Sequence, residues 1–240
     1  MAHKVLRRSG VVMTKRLLQL ALTLCLLASG SASRASLIYT YDFPGPGPNN
    51  GLASNQTNPQ PPNATFSDFT RNGGLTGTGN SDVFGSKNWP TSATLNPTIF
   101  TAFTITADPG FVLALDHITF DSLKNGATAP MLAEVDLFLN GSSSAYASFA
   151  WTPQNSPMTS YMFSFTPVTF ADNVTTATFK FFAWNATDGM NEVQFDNVAI
   201  FGGIDVPEAA SFGPAALVLA CAMTAERLRR HRQSRRVRPY

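Results

Sequence analysis

Cysteine is missing from the whole middle of this sequence. Cys25 and Cys221 lie in apolar segments near the two ends, and residues 36–205 hold none. That span therefore has no disulfide and no thiolate metal site, and its fold must rest on the size of its core. Histidine is almost as scarce: His117 is the single one between 36 and 205. One histidine without cysteine argues against a zinc or copper centre. Positive charge is scarce too. Arg71, Lys87, Lys124 and Lys180 stand against thirteen acids, which leaves the span nine charges negative. Phosphate contacts need Lys and Arg, so nucleic acid is not expected as a partner. The whole-chain charge of +2 and the pI near 8.6 report the two ends alone. Helical periodicity is absent as well, so no glycine-rich phosphate loop has a helix to open.

What the middle does have is alternation. Leu37, Tyr39, Tyr41 and Phe43 form one period-two row. Thr101, Phe103 and Ile105 form another, as do Ala133, Val135, Leu137 and Leu139. Tyr161, Phe163 and Phe165 repeat the pattern, followed by Ala177, Phe179, Phe181 and Ala183. Val193 and Phe195 begin a last run that continues on a shifted phase at Val198 and Ile200, which predicts a β-bulge near Asp196–Asn197. Rows of β-branched and aromatic residues at this spacing are strands. Turn clusters separate them: Asp108-Pro109-Gly110, Lys124-Asn125-Gly126, Asn140-Gly141 and Thr187-Asp188-Gly189. The expected fold is all-β, a two-sheet β-sandwich or barrel over 36–203. Within it 44–98, rich in Pro, Gly, Asn and Ser and with few apolar anchors (Phe66, Phe69, Phe84 and Trp89), is expected to be long surface loops with one or two short strands.

Few residues of the middle suggest chemistry. His117 sits beside Asp116 on a strand-like run, where neighbouring side chains point to opposite faces. It therefore reads as a surface or turn histidine and not as part of a Ser–His–Asp site. Sequence spacing alone does not decide on paired glycosidase carboxylates, and the thirteen scattered acids supply no particular pair. Asp42 ends the first strand and Asp196 lies in the last. If those strands pair, the two acids approach one another and become candidate oxygen ligands for calcium; otherwise both are solvated acids. No other cofactor is expected. Trp89, Trp151 and Trp184 are candidates for a sugar-stacking surface, although a place in the core is the stronger expectation for each. Phe182 shares the face of Trp184, which predicts that both sides of that strand are covered.

The ends carry the topology. Lys4, Arg7, Arg8, Lys15 and Arg16 precede the apolar run Leu17 to Ala28, and small residues follow to Ala35. Basic, apolar, small is the order of a secretory signal, here 1–35, with cleavage after Ala32 or Ala35 and a start at Met1 or Met13. The apolar run is shorter than the ~20 residues a bilayer span needs. At the other end, Val206-Pro207-Glu208 leads into the apolar stretch 209–225. The arginines 227, 229, 230, 232, 235, 236 and 238 close the chain, as Arg227, Arg229, Arg230, Arg232, Arg235, Arg236 and Arg238. A single apolar helix there would cover about 25 Å at ~1.5 Å per residue, just short of a ~30 Å hydrocarbon core. The arginines would hold its end in the cytoplasm.

This order over 204–240 resembles the PEP-CTERM sorting signal, with Ala209 where that family has a second proline. The runs Leu115 to Asp121 and Phe195 to Ile200 look like the jelly-roll domains that precede such tails. The resemblance implies a jelly-roll-like sandwich between a signal helix and an apolar helix. It implies export by the secretion machinery, a membrane-anchored precursor, and cleavage by an exosortase-type membrane protease. The expected product is a non-enzymatic cell-surface or extracellular-matrix protein. The alternative is a carbohydrate-binding module acting on exopolysaccharide.

Overall fold

The computed structural model describes residues 36–45, 47, 51–52, 56–190 and 192–207. The signal segment, Glu208, the apolar stretch and the arginine cluster lie outside the described residues.

Among the described residues twelve strands run in chain order: β1 Ser36–Tyr41, β2 Ala64–Phe66, β3 Thr70–Arg71, β4 Thr76–Gly77, β5 Phe84–Lys87, β6 Thr101–Ala107, β7 Val112–Asn125, β8 Leu132–Leu139, β9 Ala147–Trp151, β10 Thr159–Val168, β11 Thr176–Trp184 and β12 Glu192–Asp205. They form two antiparallel sheets. Sheet I has the order β10-β7-β12-β5-β4, with β1 also paired to β12; sheet II has the order β2-β6-β11-β8-β9, with β3 also paired to β6. From β6 onward the chain crosses repeatedly between the sheets, so the fold is a two-sheet sandwich with most of its contacts non-local.

The inward rows of the two sheets form one core. Tyr41, Ile118, Phe120, Phe195 and Ile200 of sheet I meet Phe103, Val135, Leu137, Phe179 and Phe181 of sheet II, all buried. Aromatic rings dominate: Phe69 lies within 5.6 Å, centroid to centroid, of Tyr41, Phe43, Phe84, Phe103 and Phe181. Large rings bury much apolar area per ordered torsion, which a domain without disulfides requires.

Segment 44–98 differs from expectation, because it contributes four short strands, β2 to β5. Each has two to four residues, too few to display an alternation. Its aromatic anchors Phe66, Phe69, Phe84 and Trp89 are all buried as core. The predicted bulge in β12 is present. Asp196 faces Asp121 and Ala199 faces Thr119, with Asn197 left-handed at φ 48°. Asparagine tolerates that conformation because its short side chain bonds locally.

Candidate functional site

On an antiparallel sheet with one face in the core, the other face is ordinarily polar. The outer face of sheet II departs from that rule. Along β11, Ala177, Phe179, Phe181 and Ala183 point into the core, so Thr178, Lys180, Phe182 and Trp184 point out. Register sets their neighbours on β8: Trp184 faces Leu132, Phe182 faces Glu134, Lys180 faces Asp136 and Thr178 faces Phe138. On β6 the partners are Ala102 for Lys180 and Thr104 for Thr178. Four aromatic side chains, Phe100, Phe138, Phe182 and Trp184, thus share the outer face with one cation and two acids.

Lys180 sits between two rings, its Nζ 4.7 Å from the Phe100 centroid and 4.5 Å from that of Phe138. The ring faces carry negative charge density, so they hold the ammonium in place. Phe100 in turn packs against Phe182 at 5.7 Å. Across the ladder, Glu134 and Asp136 lie two residues apart on β8, near enough for a hydrogen bond between the carboxyls when one is protonated. Burial, the Asp136 charge and that hydrogen bond raise the Glu134 pKa above the ordinary carboxylate value. Asp136 Oδ1 is buried without a hydrogen-bond partner. Trp184 and Phe138 remain half-buried, and Leu132 is exposed. The arrangement offers flat apolar rings beside a fixed donor and fixed acceptors.

The sequence-predicted candidates fare differently. Trp89 (2% exposed) and Trp151 (6%) are core residues, and Trp89 Nε1 donates to the Ser86 carbonyl at 2.8 Å. Trp184 alone of the three reaches the surface of sheet II. Phe182 shares its face and is covered, as its position implied.

The Asp116–His117 pair is corrected by the structure. Expected on opposite faces, the two side chains meet at 2.6 Å, Asp116 Oδ2 to His117 Nδ1. The cause is a register shift against β12: His117 faces Phe201 and Leu115 faces Gly202, so Asp116 is an extra residue on β7. A bulge turns two successive side chains to one side. The His117 ring also stacks on Phe201 at 4.2 Å.

Asp42 and Asp196 come together to the extent that the terminal strands pair: Tyr41 faces Val198. The Asp196 carboxyl is pushed up to about 6, first by burial, then by Asp121, Asp42 and Asp82, while the Asn197 backbone N–H opposes the rise. Each of these acids has local donors. Asp42 accepts from the Thr57 N–H at 3.1 Å and from its hydroxyl, Asp82 accepts from the Gly45 N–H, and Asp121 accepts from Ser160 and Asn197. Among the described residues no three His, Cys, Asp or Glu side chains converge as a metal-binding group. Of the sorting motif, Val206 and Pro207 follow the end of β12, and Val206 is 49% exposed.

Sequence reasoning missed Glu134, Asp136, Lys180, Phe100 and Phe138. The outward row Thr178, Lys180, Phe182, Trp184 was readable from alternation, but its partners depend on strand register.

No family model matches the chain, and no curated protein matches it. Among solved structures, one described as a CBM4 is similar at 15% identity, covering 58% of this chain and 78% of its own, with a TM-score of 0.39. The K2 cleaved adhesin domain of Lys-gingipain is similar at 14% identity, covering 69% and 98%, with a TM-score of 0.37. The CBM22-1 xylan-binding domain of Paenibacillus barcinonensis Xyn10C is similar at 10% identity, covering 74% and 98%, with a TM-score of 0.38. The functional reading therefore rests on this chain's own geometry.

Proposed function

We propose that this chain is an exported, non-enzymatic cell-surface protein whose jelly-roll-like sandwich binds exopolysaccharide through the outer face of sheet II. The observation that carries the reading is the aromatic cluster on that face, Trp184 and Phe138 half-buried beside the covered Phe182, with Lys180 wedged between Phe100 and Phe138 and the Glu134–Asp136 pair next to it. A sugar ring has an apolar C–H face and a rim of hydroxyls. The rings take the first and the charged groups take the second, which is how binding sites combine apolar lining with a few placed polar groups.

Export and sorting belong to the same proposal. Support comes from the basic–apolar–small start, and from Val206-Pro207-Glu208 standing directly after the last strand with Val206 exposed. Pro207 has no N–H and disfavours helix at Val206, which keeps the motif extended for a membrane protease of the exosortase type. A calcium ion between Asp42 and Asp196 would offset the burial and the neighbouring carboxylates that together raise Asp196. Glycan-array binding by the 36–207 sandwich, with and without Trp184, tests the central part of the reading.

A further inference from the structure

The opposite sheet holds a second feature. At one end of sheet I a cavity of about 260 Å³ is lined by Thr78, Asn80, Lys87, Asn125, Met190 and Glu192, with Gly79 at its wall. Its position follows from the register of β12. Val193 and Phe195 enter the core, so Glu192 and Gln194 face outward, beside Asn125 of β7 and Gly85 of β5. The chain after β4 then folds Thr78 over Gly85.

Two nearly buried groups in this pocket have unused hydrogen-bonding capacity. Thr78 is 8% exposed, and its hydroxyl has no partner. Glu192 is 6% exposed, and the amides of Asn80, Asn125 and Gln194 all donate to its Oε1. Its Oε2 is turned toward Gly85. A Cβ at residue 85 would stand 2.0 Å from the Thr78 hydroxyl and 3.3 Å from that oxygen, so glycine is what lets the two groups pack this close to β5. Buried polar groups are nearly always satisfied, and an orphaned hydroxyl at a cavity wall marks where a ligand atom or water completes the set.

We propose that this pocket binds one neutral sugar residue by its hydroxyl edge. Glu192 Oε2 accepts from one ring hydroxyl and the Thr78 hydroxyl bonds its neighbour, while Asn80, Asn125 and Lys87 serve the rest of the rim. The charges of Glu192 and Lys87 offset each other, which favours a neutral ligand over a cation or an anion. Three amide N–H groups already turned toward Glu192 also leave it poorly arranged for a metal ion. The volume lies below the ~300–1,000 Å³ of pockets for drug-sized ligands, so it admits one ring and not a chain. Met190, 72% exposed at the mouth, supplies apolar cover.

The site is on the sheet opposite the aromatic face and is independent of it. A free monosaccharide and the terminal residue of a polysaccharide present the same hydroxyl edge. The test is calorimetric titration of the full chain, in a detergent without sugar head groups, against neutral monosaccharides and their oligomers. Binding of monosaccharides marks the free sugar as the ligand, and binding of oligomers alone marks a chain end. Both are expected to survive Trp184→Ala, which separates this site from the aromatic face. Glu192→Gln turns an amide N–H toward the pocket in place of the acceptor and should weaken binding about tenfold to a hundredfold. Thr78→Val is near-isosteric, removes the orphaned hydroxyl without loss of folding, and should also weaken binding. No binding of any neutral sugar, or wild-type affinity in folded Thr78→Val, would overturn the proposal, as would calcium binding that depends on Glu192.

Discussion

The Arg71 guanidinium lies 3.7 Å from the centroid of the Phe84 ring, and it joins the two sheets. Arg71 belongs to β3 of sheet II, yet it donates to the Gly85 carbonyl at 2.7 Å and to Ser86 Oγ at 3.0 Å, both on β5 of sheet I. Burial draws its pKa down to about 10, so it keeps its charge at neutral pH. The short strands β2 to β5 have little ladder of their own, and this side chain fixes two of them relative to each other. Arg71→Ala removes charge-assisted hydrogen bonds and a ring contact, with an expected cost of about 2–3 kcal/mol in urea unfolding. Arg71→Lys should recover little of it, because an ammonium cannot supply the planar fork. Wild-type stability in Arg71→Ala would remove Arg71 from this role.

Asp196 predicts a pH dependence. Its folded pKa of about 6 exceeds the ordinary value near 3.9, so the native state holds this proton more tightly than the unfolded state. The stability it contributes is complete below the ordinary value and is lost as pH rises through about 6. Asp196→Asn should therefore flatten the melting temperature between about pH 4 and 6, and should raise it at neutral pH without calcium. If calcium binds at Asp42 and Asp196, adding it should raise the wild-type melting temperature, because it binds only the folded form. The double change to Asn should abolish the rise. A wild-type melting curve indifferent to calcium would end the calcium reading, whatever the pH profile shows.

Processing makes a separate prediction. With Pro207 and Glu208 both changed to Ala, the apolar helix is free to extend back through the motif, and the charge at its N-terminal end is gone. Uncleaved precursor should then accumulate in the membrane. Mass spectrometry of mature wild-type protein should find no peptide beyond about residue 208. Peptides from the stretch 215–227 in fully exported protein would mean a lasting anchor and not a sorting signal.

The long strands were legible because burial alternates along them. Ala177, Phe179, Phe181 and Ala183 announced the inner face of β11, and the phase shift after Phe195 announced the bulge at Asn197. The bulge at Asp116 carries the same mark, because the apolar row Leu113 and Leu115 continues on a shifted phase at Ile118 and Phe120. Short strands were lost for want of length. Glu134 and Asp136 looked like two acids among thirteen, and only the pairing of β8 with β11 places them beside Lys180 and its rings. Chemistry that depends on cross-strand neighbours is invisible until register is known.

The most direct test of the account is affinity of the purified 36–207 sandwich for neutral exopolysaccharide, measured for wild type, Trp184→Ala, Lys180→Ala and Met162→Ala. Met162 is exposed on sheet I and serves as the control. The account predicts that wild type and Met162→Ala bind alike, and that Trp184→Ala, still folded, binds about tenfold to thirtyfold more weakly, as loss of a buried aromatic anchor does. Lys180→Ala should fall in the same direction. Equal binding by wild type and folded Trp184→Ala, or no binding to any glycan, would contradict it.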